Sequence, residues 1–183
     1  MCGSVSRLQL TLAVMKPDVV AHPYRFRTIK QIILENGFLV VCSKKLQWSK
    51  SDAARFYAEH EGRFFYNRLV GFMTSGPMCA QILAGDNAIA RWRKLMGPTK
   101  TFRAKHLEPN SIRGEHGLTD TRNATHGSDS PETAAREINF FFPEFNIPLW
   151  LEREEPLFRR GEFELCKDGG IHIPKPTFTQ PER

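Results

Sequence analysis

Leu8, Leu10, Leu12 and Val14 stand two apart, with Gln9, Thr11 and Ala13 between them, and the run stops at Lys16-Pro17-Asp18. A period of two marks a strand with one buried face, because successive side chains of an extended chain point to opposite sides. Such a strand needs paired neighbours and a covering layer, so the rest of the chain must supply both.

It supplies them in alternation. After the breaker His22-Pro23, residues Phe26, Ile29, Ile32 and Ile33 fall on one helical face, with Gly37 placed to cap its end. Phe38 to Trp48 reads as a second strand, Ser49 to Glu61 as a short helix opened by cap-type serines, and Arg63 to Met73 as another helix ended by Ser75-Gly76-Pro77. Met78 to Ala84 is a third strand, and Asn87 to Met96 returns to helical spacing through Ile89, Trp92 and Leu95. From Gly97 to about Gly117 no period appears, which reads as a long functional loop. Asp129 or Ser130 can cap a last helix with Pro131 and Glu132 in its first turn and a stripe of Ala134, Ile138, Phe141 and Phe142. With a further strand read between that loop and the last helix, and the extra helices set aside, the order is βαββαβ. That order predicts an α+β fold of the ferredoxin-like kind, an antiparallel sheet with helices packed on it. The expected organisation is an N-terminal arm over 1–7, one domain over 8–142 and a C-terminal extension over 143–183, rich in Pro, Gly and charge, that wraps the domain or is partly mobile. At 183 residues and 40% hydrophobic content, the chain suits one packed domain better than two.

Residues 121–130, Thr-Arg-Asn-Ala-Thr-His-Gly-Ser-Asp-Ser, admit two incompatible readings. Asn123-Ala124-Thr125 is an N-glycosylation sequon, which has meaning only in a secreted chain. The start of the chain lacks the apolar core of a signal peptide, and no apolar run approaches the ~20 residues that span a bilayer. Cys2, Cys42, Cys79 and Cys166 are scattered without a CxxC pair, which suits reduced thiols better than a disulfide framework or zinc site. The expected location is therefore intracellular, cytoplasmic or mitochondrial. The absence of acidic residues before Asp18 permits import, while a strand beginning at Leu8 leaves little room for a cleavable presequence. A formal net charge of +6 points to a polyanionic partner without distinguishing a duplex from a nucleotide.

The second reading is chemical. A neutral imidazole has one nitrogen with a free lone pair that can attack phosphorus, provided a neighbour holds the ring in one tautomer. Glu137, three residues after Ala134 and four before Phe141, lies at the edge of the buried stripe, where its carboxylate can point back to His126. Ser128 can hydrogen-bond that carboxylate. Lys16, Arg93 and Arg113 stand where elements end or loops begin, the usual place of phosphate-binding groups. Taken singly, His126 reads as a satisfied turn residue, Ser128 as a cap, Glu137 as a solvated helix charge and each cation as an ordinary surface residue.

The sequences MKPD after a strand, RFFYNRLVGFMTSGP in mid-chain, and SIRG followed by NATHGSDS resemble the nucleoside diphosphate kinase family, in its order and at nearly its spacing. The match runs from about Leu8 to Phe142. The resemblance implies transfer of the γ-phosphate of ATP or another nucleoside triphosphate to a nucleoside diphosphate by a two-step exchange through a phosphohistidine at His126. It implies that Glu137 fixes the ring and Ser128 holds Glu137, that Lys16 contacts the transferring phosphate and the ribose, and that Tyr57 helps hold the phosphohistidine. Arg93, Thr99 and Arg113 would bind phosphates, Asn123 the sugar hydroxyl, and Phe65 would stack on the base. Mg²⁺ is expected on the nucleotide phosphates, with few or no direct protein ligands.

This chain also departs from the family pattern. Arg63-Phe64-Phe65-Tyr66 replaces the usual Arg-Pro-Phe-Phe, which leaves Phe64 and Phe65 as alternative stacking rings. Val19 stands where the family has glycine. The 97–111 loop is longer than usual and carries Pro98 in place of an acidic residue, which puts the family's hexamer in question and bears on the placement of Thr99 and Arg113. Two rival readings follow. One is a nucleotide-binding scaffold, weakly active or inactive, that meets a protein partner through the 97–111 loop or the C-terminal extension. The other is an RNA-binding module with Arg91, Trp92 and Phe102 interleaved, disfavoured because no strand carries the aromatic-rich RNA-contact pattern.

Overall fold

The structure, a computed structural model, describes residues 6–166 and 169–176. Most of the expected N-terminal arm, with Cys2, and residues 177–183 of the expected extension lie outside the described residues. The elements run β1 (Gln9–Met15), α1 (Pro17–Val20), α2 (Pro23–Glu35), β2 (Leu39–Leu46), α3 (Lys50–Phe56), α4 (Tyr66–Met73), β3 (Met78–Gly85), α5 (Ala88–Met96), α6 (Thr101–Leu107), α7 (Ile112–His116), β4 (Thr125–Gly127), α8 (Pro131–Phe141), α9 (Ile147–Arg153), α10 (Glu155–Arg159), β5 (Phe163–Cys166) and β6 (Ile171–Pro174).

The main sheet has the order β2-β3-β1-β4, antiparallel throughout, which is the ferredoxin-like arrangement. β1 is central, and it is buried on both faces rather than one. Leu10, Leu12 and Val14 pack with Ile82, Ile138 and Phe141, while Ala13 and Met15 pack with Ile29, Ile33, Trp92 and Met96. The period of two arises because the second face takes the small Thr11 and Ala13, both fully buried beneath covering helices.

Three boundaries differ from the sequence reading. The helix expected to begin at Arg63 starts at Tyr66, after Gly62 takes a positive φ of 79° and Arg63 closes a turn onto His60. The helix from Ser49 keeps its regular form only to Phe56, then tightens into a 3₁₀ turn over Ala58–His60. The segment read as a long loop from Gly97 to Gly117 contains α6 and α7. They escape a periodicity test because they are seven and five residues long and α6 buries only Thr101 and Ala104.

Of the two candidate caps of α8, Ser130 performs the task, in a capping box with Thr133. Beyond Pro143 the chain wraps the sheet. Trp150 and Phe158 join the core, and buried Glu155 accepts a hydrogen bond from the Leu8 amide at 2.9 Å. The β5–β6 hairpin lies against the outer edge of β2, where His172 Nδ1 accepts from the Val40 amide at 2.9 Å beside the bulge between Val40 and Cys42. Cys42, Cys79 and Cys166 are free thiols.

Candidate functional site

The β1–β4 ladder assembles the site. Val14 lies opposite His126 and Met15 opposite Thr125, so the end of β1 delivers Lys16 beside Ala124, whose carbonyl accepts from the Lys16 amide at 2.9 Å. Ala124 is fully buried with φ +69°, and the Thr125 amide reaches back to the Asn123 carbonyl at 2.8 Å. That is a three-residue turn about a left-handed alanine, a conformation that costs an L-residue about 1–2 kcal/mol. It turns the chain so that Asn123 and His126 leave it on either side. After His126 only a glycine fits, since a Cβ on Gly127 would stand 2.4 Å from Trp92 Cδ1 and 2.7 Å from Met96 Cε. The Trp92 indole donates to the His126 carbonyl at 3.2 Å and fastens this short edge strand to α5.

Helix α8 brings in the carboxylate. With Ala134, Ile138 and Phe141 buried on the core side, Glu137 sits at the stripe's edge and is itself nearly buried. Its Oε1 lies 3.1 Å from His126 Nε2 and its Oε2 accepts from Ser128 Oγ at 2.6 Å. Burial pushes the Glu137 carboxyl up, but the hydrogen bonds from His126 and Ser128 and the neighbouring positive charge outweigh it and hold the group below its usual value. An ionised carboxylate facing Nε2 assigns that nitrogen the proton and leaves Nδ1 with the lone pair.

The cations form a connected set. Lys16 Nζ donates to Asn123 Oδ1 at 2.6 Å and to the Thr121 carbonyl at 3.4 Å. Asn123 Nδ2 donates to the Thr99 carbonyl at 3.1 Å. Arg113 reaches the Gly97 carbonyl at 2.8 Å, Thr99 Oγ1 at 3.4 Å and the Thr125 carbonyl, next to His126, at 3.0 Å. Burial, then the charge of Arg113, lowers Lys16 to about 7, against a partial restoring effect of Asp18. Burial and the charge of Arg93 lower Arg113 to about 10. Arg93 stands exposed on the last turn of α5, and its charge also helps hold Asp129 low, after the hydrogen bond from Thr133. Two donors in this set are unspent. Arg113 Nε is buried without a partner, and Lys16 has three protons for two acceptors. Buried cations with idle donors are suited to an anion with several oxygens.

Tyr57 is buried against Trp48 and Phe56 and stacked beside His60, and burial, then the charge of Glu137, pushes its phenol far above the usual value. Phe65 is half-buried against His60 and Phe64, and Phe64 is 90% exposed. Beyond Thr121 a cleft of about 860 Å³ opens between α4 and residues 118–122, lined by Arg68, Phe72, Phe102, Lys105, Asp120 and Arg122.

Three contributors were given no part in this site from the sequence. The Phe56 ring stands edge-on to His126 at 5.6 Å, where the sequence placed it only within the short helix from Ser49 to Glu61. Asp18 Oδ2 accepts from the Ala124 amide at 3.2 Å, and the only available signal was its adjacency to Lys16. The hold of Trp92 on His126 carried no signal, because it depends on how α5 crosses β4.

The chain as a whole is similar to known proteins. The family model described as nucleoside diphosphate kinase matches residues 9–147. The chain is 57% identical to nucleoside diphosphate kinase 6 of Danio rerio over 173 residues, covering 94% of this chain and 98% of that one. It is also 57% identical to nucleoside diphosphate kinase 6 of Homo sapiens over 169 residues, covering 92% and 91%. Among solved structures, the Aquifex aeolicus nucleoside diphosphate kinase superposes with a TM-score of 0.71 at 38% identity, covering 74% of this chain and 95% of that chain.

Proposed function

Since this chain belongs to the nucleoside diphosphate kinase family, we propose that it moves the γ-phosphate of ATP or another nucleoside triphosphate to a nucleoside diphosphate through a phosphohistidine at His126. The single observation that carries the reading is the Ser128–Glu137–His126 chain, because it commits Nε2 to the carboxylate and leaves Nδ1 as the nucleophile.

In the first half-reaction the Nδ1 lone pair attacks the γ-phosphorus. A nitrogen–phosphorus bond forms while the bond to the β–γ bridging oxygen breaks, and that oxygen leaves on the diphosphate with the electron pair. In the second, a terminal oxygen of an acceptor diphosphate attacks the same phosphorus and the electron pair returns to Nδ1. Glu137 stabilises the imidazole as positive charge develops on it, the part an oriented carboxylate plays toward a catalytic histidine. Such a transition state spreads charge over three equatorial oxygens, so fixed cations supply most of the stabilisation. Lys16, Arg93 and Arg113 fill that role, with Thr99 as a further phosphate contact. Tyr57 holds the phosphohistidine, Asn123 meets the ribose hydroxyl, and Phe65 or Phe64 stacks on the base. We assign catalysis to residues 8–142 and read 143–183 as an extension whose described part braces the sheet.

The family generally uses Mg²⁺. Around this site both oxygens of Glu137 are engaged, Asp129 is bonded to Thr133, and Asp18 is bonded to Ala124. Among the described residues no group of three or more His, Cys, Asp or Glu gathers to hold an ion. An ion carried in on the nucleotide phosphates would neutralise part of their charge, and the protein's own share is the cation set named above.

The test is incubation of the purified chain with γ-labelled ATP. Acid-labile label on the protein, discharged by added nucleoside diphosphate and lost in His126→Ala, is the expected result. An unlabelled protein at saturating nucleotide overturns the reading.

A further inference from the structure

We infer that Asp18 is a positioning residue for phosphoryl transfer, its carboxylate holding the left-handed turn at Ala124 while serving as the anion beside Lys16. The inference rests on the phosphotransfer reading above and adds to it a residue outside the set of groups that meet the nucleotide.

The turn is where the site's geometry is decided. Ala124 is an alanine in a conformation that favours glycine, and both of its backbone polar groups are held from the β1–α1 junction. Its carbonyl accepts from the Lys16 amide, and its amide donates to Asp18 Oδ2. The carbonyls of Lys16, Pro17 and Val19 are taken by the amides of Val19, Val20, Ala21 and His22 as α1 closes. A side-chain acceptor one residue past Pro17 is the group that reaches the Ala124 amide. Without it the peptide unit loses the bond that opposes relaxation of φ, and relaxation swings Asn123 and His126 relative to one another.

Charge is the second part. The groups that face Lys16 electrostatically are Arg113 from α7, which disfavours its ammonium, and Asp18 from α1, which favours it. Arg93 from α5 faces Arg113, and Arg25 from α2 faces Asp18. Asp18 is thus the one anion among the groups that shift Lys16. Its other oxygen, Oδ1, is buried without a hydrogen-bond partner, so its interaction with the ammonium is not spent elsewhere in a short bond. Burial raises Asp18 and lowers Lys16, and each charge offsets part of the other's desolvation.

Two variants separate the two parts. Asp18→Asn keeps an oxygen that can accept from the Ala124 amide and removes the charge; Asp18→Ala removes both. The measurement is the rate of His126 labelling by γ-labelled ATP between pH 5.5 and 9, with thermal unfolding to show that each variant is folded. In Asp18→Asn the rate at pH 5.5 stays within a few-fold of wild type, and the alkaline limb moves to lower pH by about one unit, as expected when one opposite charge within several ångströms is lost. In Asp18→Ala the rate falls by at least tenfold at every pH, and the limb moves as well. An Asp18→Asn profile that superposes on wild type overturns the charge role, and an Asp18→Ala rate equal to that of Asp18→Asn at pH 5.5 overturns the turn role. An unlabelled wild-type protein counts against the phosphotransfer reading instead. Asp18 is then judged by calorimetry of ADP binding, where proton uptake near pH 7.5 rises in Asp18→Asn if the inference holds and is unchanged if it fails.

Discussion

Lys16 is buried, and its ordinary pKa of 10.5 is lowered to about 7, chiefly by desolvation. At about 1.4 kcal/mol for each factor of ten, that displacement corresponds to roughly 5 kcal/mol by which the folded state disfavours the charged lysine relative to the unfolded chain. Lys16→Met keeps the length of the stem and removes the charge. It also leaves Asn123 Oδ1 without its donor, a loss of about 1–3 kcal/mol for a buried acceptor. The net expectation at pH 6 is a variant more stable than wild type by about 2–4 kcal/mol and without transfer activity, the pattern of a functional group held against the interest of the fold. The pH dependence has a definite sign. Between pH 7 and 10.5 the unfolded wild-type chain holds a proton on Lys16 that the folded chain has released, so wild-type stability rises with pH across that window. The advantage of Lys16→Met is therefore largest below pH 7 and shrinks by about 3 kcal/mol by pH 9.5. Urea unfolding of both proteins at pH 6 and pH 9.5 measures the gap directly. A gap of equal size at the two pH values, or a Met variant less stable at pH 6, would refute the reasoning.

Glu137→Gln offers an amide in place of the carboxylate facing Nε2 and no longer selects the tautomer with a free Nδ1, so phosphohistidine formation should slow by about 10²–10⁴-fold, and a rate within threefold of wild type would sink the assignment of Nδ1. Gly127→Ala drives a methyl into the Trp92 ring, and a loss of about 1–3 kcal/mol in thermal or urea unfolding is expected; a neutral effect would show that β4 is not pinned against α5. Burial holds His172 below its ordinary value, and its Nδ1 needs its lone pair to accept from Val40. Since the unfolded chain then binds more protons, this contribution is complete above about pH 6.5 and is lost as pH falls from there toward the lower folded value. Protection of the Val40 amide against hydrogen exchange should accordingly weaken between pH 7 and 5 and be low at both in His172→Ala; pH-independent protection in wild type counts against the contact.

The strands and long helices were legible because their periodicity reports a continuous buried stripe, as with Ile29 and Ile33 in α2 or Ala134, Ile138 and Phe141 in α8. Where an element is too short to repeat its period the signal failed: α6 and α7 read as loop because they run only seven and five residues, and α6 buries only Thr101 and Ala104. Burial of β1 on both faces was equally hidden, since Thr11 and Ala13 look like a solvated face until helices are laid over them. Residues close in sequence carried their own relations: Ser128 and Glu137 could be paired with His126 from one strand, one capped turn and one helix, because local geometry limits where nine or eleven residues can reach.

The amino-acid order by itself determined the alternation of strands and helices and the cluster of His126, Ser128 and Glu137, because those depend on local periodicity and short-range reach. Only the folded chain decided that Lys16 meets Asn123 across 107 positions, that Asp18 grips Ala124 across 106, and that Arg113 stops beside Thr125. Those contacts follow from the register of β1 on β4 and the crossing of α5 and α7 beneath it, and register is a property of two segments that no single stretch of sequence contains.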